Sequence, residues 1–157
     1  MNLDCADVYA FRGASIGDVT YQLTKYKESI FGFFSIIFHV GTNDISRLSV
    51  DQFKSAYCNL ISTAKSMFPN IHIGMSSILP RPVDYSKTND KVVKVNKALN
   101  VLCQRYGVVF IHSYRYFVRE GKPLVELFAY KDGGLHLNVE GSKQLGSYFK
   151  RRVAHMR

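Results

Sequence analysis

The chain has 157 residues, enough for one domain with a real hydrophobic core, and its 46% hydrophobic and 21% charged content excludes a disordered or low-complexity polypeptide. No apolar stretch approaches the roughly 18 to 20 residues that cross a bilayer. Lys and Arg number 21 against 12 Asp and Glu, a net charge of +9 that is diffuse apart from Lys150-Arg151-Arg152; it supports nonspecific attraction to nucleic acid, with no sequence-reading motif beside it.

In chain order, residues 8–11 are short, apolar and aromatic and predict a first strand, followed by the turn Arg12-Gly13-Ala14-Ser15 and a helical pattern of Ile16, Val19, Leu23 and Tyr26. The near-continuous apolar run 33–40 predicts a strand covered on both faces in a parallel sheet. Ser49 with Gln52 forms a capping box, and Phe53, Tyr57, Leu60, Ile61, Ala64 and Met67 recur at helical spacing until Pro69. Residues 71–79 predict the next strand, closed by Pro80-Arg81-Pro82, and the polar stretch to Lys87 reads as loop. Val92, Val95, Leu99, Leu102 and Tyr106 mark a helix that Gly107 ends, residues 108–111 a fourth strand, and Leu145, Phe149 and Val153 a last helix capped by Asn138. The aromatic stretch 114–130 is ambiguous. Strands alternating with helices predict parallel pairing in a three-layer α/β sandwich, without repeats or linkers.

In an open parallel sheet, ligands bind beyond the carboxyl ends of the strands. Gly41-Thr42-Asn43-Asp44 lies at that edge. Gly41 allows tight backbone passage, and Asn43 can donate its amide to a developing oxyanion or bond neighbouring loop backbone. Asp44 reads as a structural acceptor for nearby backbone. Of five histidines, His136 carries the functional case, because it stands in the Gly-rich loop Asp132-Gly133-Gly134-Leu135-His136 immediately before a helix. Asp132 could orient its imidazole as triad logic requires, or be a turn residue before two glycines. His39 and His72 follow strand patterns, His112 ends a strand, and His155 lies in the basic tail. Cys5, Cys58 and Cys103 lack metal-ligand spacing and read as reduced structural thiols, and neither a metal nor a cofactor is expected. The start Met1-Asn2-Leu3-Asp4 has no signal-peptide character, which points to the cytoplasm.

These blocks resemble the SGNH, or GDSL, hydrolases: Gly13 after the first strand, Gly41-Thr42-Asn43-Asp44, and Asp132 through His136, with the order and spacing of the helices over essentially the whole chain. Ser76-Ser77-Ile78-Leu79-Pro80-Arg81, Val95-Asn96-Lys97-Ala98-Leu99 and His136-Leu137-Asn138 resemble, more narrowly, the esterase-like domains of LINE-type retrotransposon first open reading frames. The resemblance implies a flavodoxin-like α/β/α sandwich, a small ester or acetyl ester as substrate, Gly13 and Asn43 as oxyanion donors, and His136 as base. Two departures stand out. The nucleophilic Ser of that family sits in a Gly-Asp-Ser block on a strand before the one at residues 8–11, and no Gly-Asp-Ser occurs in these 157 residues, so the expectation is a domain lacking its first strand and inactive as it stands. The histidine block reads Asp-x-x-x-His, one residue longer than the family's Asp-x-x-His, which leaves the role of Asp132 open.

Gly13-Ala14-Ser15-Ile16-Gly17 matches G-x-S-x-G and makes Ser15 a secondary nucleophile candidate, its alternative being a helix N-cap. The competing functional reading is a noncatalytic binding or assembly module held near nucleic acid by its positive field.

Overall fold

The computed structural model describes residues 6–156. Its centre is a parallel sheet of three strands, β1 (Ser35–Phe38), β2 (His72–Ser76) and β3 (Val109–Ile111), in the order β1-β2-β3. The register Ile36↔Ile73 and Phe38↔Met75↔Phe110 turns these side chains to one face. There they meet three helices, α1 (Ile16–Lys25), α2 (Val50–Met67) and α3 (Tyr85–Tyr106), in a core that includes Phe53, Tyr57, Val92 and Leu99. The opposite face carries Ile37 and Gly74 and is covered by α4 (Val139–Ala154) and the residues just past it: the His39 ring meets Phe149 of α4 at 5.9 Å, and a Cβ added to Gly74 would stand 3.3 Å from Met156 Cε. A smaller apolar cluster, Leu79, Phe117, Phe128 and Leu145, lies under α4. Helices on both faces of a parallel sheet make the expected three-layer α/β arrangement.

Local chemistry sets the element ends. Ser49 accepts from the Gln52 N–H while Gln52 Oε1 accepts from the Ser49 N–H, a reciprocal box that starts α2. Gly107 is left-handed, at φ +65°, and stops α3. Asn138 Oδ1 accepts from the Gly141 N–H and caps α4.

Two expectations are corrected. Residues 8–11 form no strand; Val8 is 87% exposed, and Tyr9 and Phe11 pack on the Tyr26 ring at 5.2 and 5.7 Å. An extended apolar segment becomes a strand only beside a partner, and none among the described residues lies next to it. The run 33–40 forms the expected parallel strand, over Ser35–Phe38, and among the described residues it pairs with β2 alone. The polar stretch before Lys87 is helical from Tyr85, because Asp84 stands at its start and accepts from the Thr88 hydroxyl at 3.0 Å. The ambiguous segment holds a short hairpin, Val118–Arg119 with Lys122–Pro123, turning through Glu120 and Gly121 at positive φ.

Candidate active site

β1 runs out through Val40 into Gly41, whose φ is +135°. A Cβ there would lie 2.3 Å from Tyr57 Oη, and that hydroxyl donates to Val40 O at 2.7 Å, so the passage requires glycine and is pinned by a buried phenol. Burial, reinforced by the Asp44 carboxylate, pushes the Tyr57 pKa up and keeps the donor protonated. Thr42–Asp44 form a single 3-10 turn.

Two side chains of that turn bind the start of α1. Asp44, 1% exposed, accepts from the Ile16 N–H at 2.8 Å and from Arg47 Nη2 at 2.5 Å. Asn43 Nδ2 donates to Ala14 O at 3.0 Å. Gly13 is thereby held one residue away, left-handed at φ +72°, and its N–H has no hydrogen-bond partner among the described residues. Ser15 is the N-cap of α1: its Oγ accepts from the Asp18 N–H at 3.0 Å, and Asp18 Oδ2 returns the bond to the Ser15 N–H at 2.9 Å. None of the histidines bonds its hydroxyl among the described residues.

The histidine loop follows a similar economy. Ala129 N–H donates to His136 O at 2.7 Å, and Gly133 and Gly134 take φ of +72° and +96° between them. This tight loop folds the five-residue block around the Asp132 carboxylate. Oδ1 accepts from the N–H groups of Gly134 and Leu135 at 3.2 and 3.0 Å, and Oδ2 from the His136 N–H at 3.2 Å and from its ring Nδ1 at 2.5 Å. The His136 bond above all, then the loop N–H groups, hold the Asp132 pKa down at about 2. An ionised carboxylate on Nδ1 favours the tautomer protonated there, leaving Nε2 with the lone pair. The His136 side chain is 59% exposed, open to a reacting group.

Sequence reading missed the residue that connects the two motifs. Arg81 Nη1 donates to Thr42 O at 2.5 Å and to Thr42 Oγ1 at 2.9 Å, while Nε and Nη2 grip Asp84 at 2.9 and 3.0 Å. The guanidinium holds Asp84 below the usual carboxylate range. The next residue, Pro82, touches the histidine loop, since a Cβ on Gly134 would lie 2.7 Å from Pro82 Cβ. One three-residue stretch therefore contacts the Asn43 turn on one side and the His136 loop on the other. The only local signal was Arg81 three residues before Asp84. Three of the other histidines have other partners: His39 Nδ1 meets Ser76 Oγ at 2.9 Å, His72 packs on Phe34 at 4.7 Å, and His112 packs on Phe110 at 5.6 Å. Cys103 is buried and Cys58 Sγ meets Tyr106 Oη at 2.8 Å, whereas Cys5 lies outside the described residues.

A parallel α/β sheet with an Asn-bearing turn beyond one strand and an Asp–His pair before the last helix is the arrangement that the resemblance to the GDSL hydrolases implies. The chain belongs to the GDSL-like lipase/acylhydrolase family, whose model matches residues 2–144. It is similar in structure to a Streptococcus pneumonia protein described in connection with platelet activating factor, at 24% identity and TM-score 0.78 over 90% of this chain and 69% of that one. A GDSL-like lipase from Bacteroides thetaiotaomicron matches at 16% identity and TM-score 0.76, over 92% and 73%. A family 3 carbohydrate esterase from Clostridium thermocellum matches at 16% and 0.71, over 92% and 68%. No protein with a curated description matches in sequence. Among the described residues no helix is long and apolar enough to cross a membrane.

Proposed function

We propose that the carboxyl edge of this sheet is the site of acyl or acetyl ester hydrolysis, with His136 as general base, Asp132 as its orienting carboxylate, and the Gly13 N–H and Asn43 amide as oxyanion donors. The observation that carries this reading is the 2.5 Å bond between Asp132 Oδ2 and His136 Nδ1, which leaves Nε2 free to take a proton from a nucleophile. Asn43 spends one amide proton on Ala14, and its NH2 has a second to offer. Gly13, the residue before Ala14, presents an N–H with no hydrogen-bond partner among the described residues. The shared contact of residues 81–83 with both loops supports their acting as one site.

The 157 residues contain no Gly-Asp-Ser, and Ser15 is bound as a helix cap. We infer that this chain alone lacks the nucleophile and does not turn over; loss of a serine nucleophile costs on the order of a million-fold in kcat. The narrower kinship with LINE-type esterase-like domains remains part of this proposal and rests on the three short segments that suggested it. The test is hydrolysis of p-nitrophenyl acetate by the purified chain, its Ser15→Ala variant and its His136→Ala variant. All three should run at the background rate. Turnover well above background that both substitutions abolish would make Ser15 the nucleophile and overturn the inactive reading.

A further inference from the structure

We propose that the adjoining outer faces of α2 and α3 form a binding surface for the sugar-phosphate backbone of nucleic acid. This inference is independent of the esterase reading, because it concerns the solvent side of the helical layer and not the strand ends.

Both helices join parallel strands, so they run side by side in the same direction, and they are tied together at their C-terminal ends. Lys65 Nζ of α2 donates to Tyr106 O of α3 at 2.5 Å, and Cys58 Sγ meets Tyr106 Oη at 2.8 Å. Between them the two helices hold seven basic residues, Lys54, Lys65, Lys87, Lys91, Lys94, Lys97 and Arg105, and two acids, Asp51 and Asp90. That imbalance supplies five of the nine excess positive charges of the whole chain. The apparently diffuse charge is therefore concentrated by the fold.

The distribution along the helices sharpens the case. Asp51 lies 3.7 Å from Lys54, and past Asp90 neither helix carries another carboxylate. Lys87, Lys94, Lys97 and Arg105 are exposed and form no ion pair among the described residues. At about 1.5 Å per residue, Lys94 to Arg105 spans about 16 Å, long enough to meet several successive phosphates. Asn59, Ser62 and Gln104 are exposed between these cations and add neutral hydrogen-bonding groups.

The surface also selects among polyanions. Val101 is the one exposed large hydrophobic residue on the two helices, and the Tyr85 and Tyr106 rings are half-buried, with the Tyr106 hydroxyl engaged by Cys58 Sγ, so this face has no apolar edge to insert into a bilayer and no fully exposed ring to stack on a base. Contacts limited to phosphate give attraction that is strong at low salt and indifferent to sequence. An RNA or single-stranded DNA backbone fits; an anionic membrane fits less well.

The experiment is fluorescence anisotropy of a labelled single-stranded RNA of mixed sequence, titrated with the full chain across a series of salt concentrations. Lys94→Glu/Lys97→Glu is compared with Lys150→Glu/Arg151→Glu, which makes the same change of net charge in the basic tail of α4. Wild type should bind with a Kd in the roughly 1 to 100 μM range typical of nonspecific association. The α3 variant should weaken binding at least about tenfold and flatten the log–log salt slope by about 1.4, the loss of two contacts on a single strand. The tail variant should weaken it less than about threefold. Equal losses in the two variants would show that net charge alone is read and would overturn the surface. So would absence of binding at low salt, or binding to phosphatidylserine vesicles with no binding to RNA. Circular dichroism of both variants confirms that these exposed substitutions leave the fold in place.

Discussion

Asn96 stands in for a missing strand at Ile78. Its Oδ1 accepts from the Ile78 N–H at 2.8 Å and its Nδ2 donates to the Ile78 carbonyl at 2.9 Å, so one side chain on α3 satisfies both backbone groups of a residue beyond the end of β2. Ile78 is 2% and Asn96 6% exposed, so water cannot take over either bond without opening the core. Asn96→Ala leaves two buried groups unpaired at roughly 1 to 3 kcal/mol each, against which relaxation sets a net loss of about 3 kcal/mol. The melting temperature should fall by roughly 6 to 12 °C for a domain of this size. An unchanged Tm would show that the pairing is dispensable.

Asp132 predicts an acid limb in the pH dependence. Its carboxyl is held down at about 2, chiefly by His136 and then by three loop N–H groups, against an ordinary value near 3.9 in the unfolded chain. The folded pKa is depressed, so the contribution is fully present above about pH 4 and is lost as pH falls from there through about 2. Side-chain carboxyl NMR should show Asp132 titrating at about 2, well below the ordinary carboxylate range. Asp132→Asn should remove that limb from the stability profile; an identical profile in the variant would dissociate the carboxylate from the loop.

What the sequence made legible is what local chemistry decides. The capping box at Ser49 and Gln52, the left-handed Gly107, the cap at Asn138 and the helical spacing of Phe53 through Met67 each depend on residues within a turn or two, and each was readable. Residues 8–11 have the composition of a strand, but a strand needs a neighbour, and composition does not supply one. The Asp–His block looked one residue too long; two glycines at positive φ absorb the extra residue and bring Asp132 Oδ2 to the ring. Arg81 was hidden for the opposite reason. Its contact with Thr42 joins residues 39 apart in sequence, and nothing in either segment alone announces it.

Gly134 gives a direct test of how tightly the histidine loop is built. Its φ is +96°, and an added Cβ would meet Pro82 Cβ at 2.7 Å. Gly134→Ala therefore combines a backbone conformation unfavourable to L-residues with a clash against a ring that the Arg81 clamp holds in place. We expect about 2 kcal/mol of destabilisation, and loss of the Asp132–His136 bond visible as a changed ring-nitrogen signal in 15N NMR. Gly146→Ala, half-buried on α4 with nothing within 4 Å of its added Cβ, should be neutral or slightly stabilising. Equal effects at the two glycines would sink the strain argument.

The edge of β1 gives the most exposing prediction. Ile36 and Ile37 are apolar on both faces of a strand that, among the described residues, pairs with β2 alone, and no lysine or proline interrupts residues 35–40 to blunt the edge. Such an edge is a template for pairing with another chain. The net charge of +9 opposes that association by repulsion, and salt screens the repulsion over a length of about 10 Å at 0.1 M. The purified chain should therefore stay monomeric at low ionic strength and associate as salt rises, with a broad thermal transition, by light scattering and calorimetry side by side. Fusing an apolar strand that ends in Gly-Asp-Ser ahead of residue 6 should pair this edge, raise and sharpen the transition, suppress the salt-driven association, and confer hydrolysis of p-nitrophenyl acetate that His136→Ala abolishes. A sharp cooperative transition in the unextended chain, unchanged by the fusion, would show that the three-stranded sheet is complete as it stands and that β1 needs no further partner.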